Sequence, residues 1–135
     1  MVNFVEIDQI CEWLKATTSV ATVLSDRIYY WEPMNEVTDW IYLVINSISQ
    51  VVNRVNKQAL IEFRYIGYNE NVRKKTLVDT AKIVADAIVT DDNSQLQQLG
   101  TFSFFKCVEW WDFRMFVDDK NRNLLIQDYI FYFIS

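Results

Sequence analysis

Three carboxylates, Glu109, Asp112 and Asp128, have the best claim to chemistry in this sequence. They fall in or near two apolar segments, 101–113 and 124–135, that read as neighbouring strands, so they could meet across one hairpin. Glu109 shares a strand face with Trp111, and apolar surroundings raise a carboxyl pKa, as a general acid requires. That arrangement would suit a small carboxylate-dependent hydrolase. A simpler reading has Glu109 and Asp128 facing solvent or paired with Arg114 or Lys106, where edge charges also discourage aggregation between sheets.

The other candidate groups reduce to local structure. Asp91-Asp92-Asn93 and Asp118-Asp119 supply oxygen ligands without the spacing of a calcium loop, and both suit turns and helix ends. Arg73-Lys74-Lys75 stands at the start of a helix, the end where the macrodipole prefers anions. It reads as a solvated face, or as a salt-bridge partner for another subunit. Tyr29-Tyr30-Trp31 could stack on nucleic-acid bases, but no Lys or Arg cluster surrounds it, and packing or a subunit contact fits better.

Several absences close whole classes. The 135 residues include no histidine, two glycines (Gly67, Gly100) and one proline, Pro33. The commonest general base and metal ligand is missing, and no phosphate loop or dinucleotide fingerprint can be built. A net charge of −5 argues against sequence-specific nucleic-acid binding, which calls for a basic stripe. Cys11 reads as a small core residue on a helix, Cys107 lies in a strand, and a reducing compartment suits both. No apolar run is long enough to span a membrane, and residues 1–8 lack the basic start of a secretory signal, so the chain is expected to stay where it is made. The reading is of a non-enzyme with no metal and no cofactor.

The element that must position everything else runs from Gln58 to Val89. Residues 59–68 alternate with a period of two, as a half-buried strand does, and 72–89 repeat Leu77, Ala81, Val84 and Ile88 at helical spacing. Before this unit come an amphipathic helix over 4–14, a second helical turn over 20–24 capped within Thr17-Thr18-Ser19, a short extended piece at 27–31 and a loop over 32–39. A strong strand follows at 40–50, with Trp40, Tyr42, Val44, Asn46 and Ile48 on one face, and 51–57 form a hairpin connection. After the unit come a loop to Gly100, a strand over 101–113, a turn at 118–123 and a strand over 124–135. The pattern predicts an α+β fold in one domain, 1–135. One mainly antiparallel four-stranded sheet, made of two hairpins, would be packed by the long central helix, with an N-terminal helix beside it.

Composition adds a functional hint. Aromatic residues make up 16% of the chain, and several strands are apolar on both faces. Adjacent strand residues such as Trp110 and Trp111 point to opposite sides of a sheet. The long helix covers one side, the N-terminal helix is expected to cover part of the other, and the remainder would be a partner surface or be covered within the chain. The candidate subunit-interface residues are Tyr29, Tyr30, Trp31, Trp40, Arg73, Lys74, Trp110, Trp111, Tyr129 and Phe131.

In order, these elements resemble phage tail terminator and neck (head–tail joining) proteins. Arg27-Ile28-Tyr29-Tyr30 is similar to that family's Arg-Ile-Tyr-Pro turn, with Tyr30 where proline is common and Pro33 a few residues on. The strands containing Trp40-Ile41-Tyr42-Leu43-Val44-Ile45 and Ala59-Leu60-Ile61-Glu62-Phe63-Arg64-Tyr65, the helix over 77–89 and a closing hairpin extend the likeness over nearly the whole chain. The Asp118-Asp119 loop matches no motif of the family. The resemblance implies a structural virion protein, made in the bacterial host cytoplasm, that forms a cyclic homo-oligomer, commonly a hexamer. Such a ring sits at the head–tail junction on the end of the tail tube, stops its growth and docks to the head connector or stopper protein. Genomic DNA passes through without specific binding, and no membrane is involved. A stopper or a tail assembly factor is the alternative within the same group. An acidic chain suits a channel that phosphates must cross without sticking.

Overall fold

The computed structural model describes residues 4–30, 40–52, 56–88, 97–99, 103–110 and 113–134. Its centre is the antiparallel pair β2 (Ile41–Val52) and β3 (Asn56–Gly67), in register from Ile41 opposite Gly67 to Val52 opposite Lys57. Ile41, Leu43 and Ile45 alternate with Tyr42 and Val44, and all five are buried, so both sides of β2 are covered at this end. The strands reach into the expected 51–57 connection: Val51 pairs with Gln58 and Val52 with Lys57.

Around this pair the sheet is wider than the sequence pattern predicts. β1 (Ile28–Tyr30) joins β2 in parallel, and β7 (Asn123–Ile134) pairs antiparallel with β3. β5 (Ser103–Trp110) and β6 (Arg114–Val117) follow each other along the far side of β7, and β4 (Gln97–Leu99) pairs with β5. The result is a mixed seven-stranded sheet in the order β1-β2-β3-β7-β5-β4, with β6 also on β7. At either end it is five strands across, β1-β2-β3-β7-β6 or β2-β3-β7-β5-β4.

The four-stranded, mainly antiparallel sheet is therefore incorrect, although the α+β class stands. Three departures account for the difference, one of them β4, which forms within the expected loop to Gly100 by pairing with β5. The piece at 28–30 is too short to signal which strand it joins, and it pairs in parallel. The strand expected over 101–113 is interrupted: between the pairs Trp110–Tyr129 and Arg114–Ile126 its side of the ladder holds one residue more than β7.

Further irregularities mark β2 and β5. Register shifts fall between Ser47 and Ser49 and between Cys107 and Glu109, both beside the neighbouring β3–β7 pairs around Leu60 and Ile130. Bulges increase local twist and bend the strand that carries them, so these two flank the continuous β3–β7 pair at one height.

All three helices lie on one face. α1 (Phe4–Ala16) contributes Ile7, Ile10, Cys11 and Leu14 to the core, α2 (Thr18–Leu24) contributes Val20 and Leu24, and α3 (Lys74–Ile88) contributes Leu77, Ala81, Val84 and Ile88. They meet Ile61, Phe63, Tyr65, Leu125, Tyr129 and Phe131 from the sheet. Each large apolar side chain so buried contributes about 1.5–3 kcal/mol relative to exposure. The expectation that the N-terminal helix covers part of the opposite face is thus corrected, since α1 packs beside α2 and against β1 and β2. Thr17 occupies the N-cap of α2 as expected, but its hydroxyl donates to the Trp13 carbonyl at 2.9 Å and makes no cap bond.

Gly67 ends β3 where the chain turns toward α3. A Cβ placed there would lie 2.7 Å from Val72 Cβ, so the close approach of 67 to 72 depends on the missing side chain.

Candidate subunit interface

On the face away from the helices, Tyr42, Val44 and Ile66 form a small second core, with Tyr29 and Leu124 packed against it. Tyr29 and Tyr42 meet edge to face at a ring separation of 6.2 Å. This apolar centre is buried within the chain, so intrachain cover holds here and it is no partner surface.

Charged side chains complete that face. Glu62 and Asp128 are directly opposite each other on β3 and β7, a placement that is repulsive for two carboxylates. Each has its own arginine: Arg64 Nη2 lies 2.8 Å from Glu62 Oε1, and Arg114 Nη2 lies 3.0 Å from Asp128 Oδ2. Asp128 is therefore engaged as a structural partner of Arg114, one of the two partners the sequence suggested. The side chains of Glu109 and Asp112 lie outside the described residues.

The turn between β6 and β7 is locked by Asp118. Its Oδ1 accepts the backbone N–H groups of Lys120 (3.0 Å) and Arg122 (2.8 Å), and its Oδ2 accepts from Arg122 Nε at 2.8 Å. Burial works against the carboxylate, but the bonds from Arg122 and the Lys120 N–H outweigh it and hold the Asp118 pKa below its usual 3.8. Arg122 then reaches across the face and donates from Nη1 to Tyr42 Oη at 3.1 Å. Asn123 Nδ2 donates to the Val72 carbonyl at 2.8 Å, which ties the same turn to the approach of α3.

The candidate interface residues separate into groups. Trp40 is 47% exposed, just ahead of β2. Arg73 and Lys74 are exposed at the start of α3, whose first turn holds no acid. Tyr29 and Tyr30 are half-buried on opposite sides of β1, Tyr29 beside Tyr42 and Tyr30 against the helix-side core. Trp110 stands opposite Tyr129 in the β5–β7 ladder, with its side chain outside the described residues, as are Trp31 and Trp111 entirely.

Tyr129 and Phe131 present no surface to a neighbour. Both are 0% exposed and stack on each other at 5.7 Å, and the Tyr129 hydroxyl donates to Gln127 Oε1 at 2.9 Å. The cause is parity: 124–134 is apolar on both faces, and the odd-numbered residues are the ones that turn toward the helices.

Among the described residues, three exposed apolar side chains escape the sequence reading: Ile48 (51%), Phe116 (44%) and Val117 (54%). Ile48 is the extra residue of the β2 bulge, which an alternation pattern cannot show. Phe116 and Val117 belong to β6, a strand too short to carry a period.

Among the described residues, no group of three His, Cys, Asp or Glu side chains could hold a metal ion, and no helix is long and apolar enough to cross a membrane. No known protein family and no curated protein matches the chain. Among solved structures, the chain is similar in fold to one from the virion of a native gene transfer agent (GTA) particle. The two agree with a TM-score of 0.55 at 17% identity, over 91% of this chain and 88% of the other.

Proposed function

We propose that this protein is a structural component of a phage-like virion, working as a tail terminator at the head–tail junction. The carrying observation is the fold shared with the GTA virion chain, which extends over almost the full length of both. In this reading copies assemble into a closed ring, a hexamer in the family the sequence resembles. The ring caps the tail tube protein and offers its other side to the head connector or stopper.

Surface chemistry supports the reading. The exposed apolar residues Trp40, just ahead of β2, and Phe116–Val117, on β6, lie at different places along the sheet, which suits a contact in which one patch meets a different patch on the neighbour. The net charge of −5 per copy keeps DNA phosphates moving through without specific binding. No residue is assigned a catalytic role.

Negative-stain imaging of purified protein mixed with tail tubes tests the assignment. Rings seated on tube ends are expected, together with tubes that stop elongating. Rings that bind only isolated head connectors would reassign the protein as a stopper, and a protein that binds neither would refute a role at the junction.

A further inference from the structure

The large apolar side chains left open among the described residues lie toward opposite sides of one sheet. Trp40 and Ile48 belong to the β2 side, Phe116 and Val117 to β6. Register sets their heights. Phe116 stands opposite Leu124, Leu124 opposite Ile66, and Ile66 opposite Tyr42, which places Phe116 and Val117 level with the start of β2, next to Trp40.

β6 is a short edge strand, paired with β7 on one side. The Asp118 N–H donates to the Arg122 carbonyl at 3.0 Å. Antiparallel ladders alternate, so Phe116 and Arg114 direct their backbone groups at β7 while Met115 and Val117 direct theirs outward. Among the described residues no strand pairs with β6 on that side. β6 carries neither proline nor lysine; what blunts it is its four-residue length and the charge of Arg114. Arg114 is paired with Asp128, which leaves Phe116 and Val117 as the apolar part of the edge.

Strand sense determines how a second copy can approach. β1 and β2 are parallel, β3 opposes β2, β7 opposes β3, and β6 opposes β7. β6 therefore runs against both β1 and β2. Among the described residues no strand pairs with β1 on the side away from β2. Copies rotated about an axis close to the strand direction keep that sense, so the β6 edge of one copy can meet the β1–β2 edge of the next only as an antiparallel pair.

We propose that β6 adds antiparallel to the β1–β2 edge of a second copy, with Phe116 and Val117, on opposite faces of the strand, flanking the joined edges level with that copy's Trp40. The inference rests on the ring reading above and supplies its contact. The two edges differ, so the addition is heterologous and repeats until rotation closes it.

Val117→Pro tests this directly, because it removes an outward N–H without touching the bonds to β7 and proline is tolerated on edge strands. The variant should keep the wild-type circular dichroism and lose assembly, with the concentration for half-assembly raised at least about tenfold. Hydrogen exchange on the wild type gives a second measure that needs no variant: the Met115 and Val117 amides should slow at least about tenfold on going from dilute to assembled protein. A ring that forms equally well with Val117→Pro, or amides whose exchange is unchanged on assembly, overturns the edge contact and leaves the ring intact. A wild-type protein that stays monomeric overturns the ring reading and the contact with it.

Discussion

Arg27 Nε donates to the carbonyl of Ile41 at 2.8 Å, a bond between the residue ahead of β1 and the first residue of β2. The same guanidinium reaches the Val23 carbonyl at 3.3 Å, and the Arg27 carbonyl accepts the Leu43 N–H at 2.9 Å. One residue thus ties the last turn of α2 to the start of the central strand. Arg27 leads the Arg27-Ile28-Tyr29-Tyr30 segment, and its bonds make that segment a brace between helix layer and sheet.

Arg27→Ala should therefore destabilise folding by about 1.5–3 kcal/mol, since it leaves carbonyls without a charged donor. Arg27→Lys should recover only part of this, because an ammonium cannot reproduce the planar fork. Urea denaturation of the two variants checks the order; equal stability of Arg27→Ala and wild type would remove the brace.

Gly67→Ala should destabilise by about 1–3 kcal/mol, the usual range for overpacking. The clash would be with Val72 Cβ, an atom fixed to the backbone that cannot swing aside. A thermal melt decides, and an unchanged midpoint would show that the turn into α3 relaxes freely.

Asp118 gives a pH signature. Its folded pKa lies below the usual 3.8, so between the two values the unfolded chain binds more protons than the folded one. The contribution to stability is fully present above the unfolded pKa and is lost as pH falls through the folded one. Wild type should lose more stability than Asp118→Asn between about pH 6 and about pH 3, measured by denaturant titration at each pH. Parallel losses in the two proteins would show that the carboxylate's bonds do not stabilise the turn.

Core and interface should separate cleanly under truncation. Phe131→Ala should cost folding about 3–5 kcal/mol, because the side chain is fully enclosed beneath the helices. Trp40→Ala should leave the melt within about 1 kcal/mol of wild type and weaken assembly instead. Sedimentation and denaturation, run on both variants, provide the comparison; a Trp40→Ala protein that assembles normally would take Trp40 out of the interface.

Much of this arrangement was legible in the residues themselves. The helical repeat of Leu77, Ala81, Val84 and Ile88 is the buried stripe of α3, and the alternation of β3 places Ile61, Phe63 and Tyr65 in the core. What stayed hidden depends on partners distant in sequence. β1 is three residues long and acquires its place only by pairing with Leu43–Ile45. Tyr129 and Phe131 looked like surface because 124–134 is apolar on both sides, and only the position of the helices decides which parity is inside. The β6 edge is set by an extra residue in the ladder, which leaves no mark in composition.

Native mass spectrometry of the wild-type protein at micromolar concentration tests the central claim most directly. Assembly into a ring predicts one closed oligomer of fixed copy number, with a hexamer expected, and few open intermediates. A monomer at every concentration, or a ladder of open oligomers without a preferred size, would contradict it.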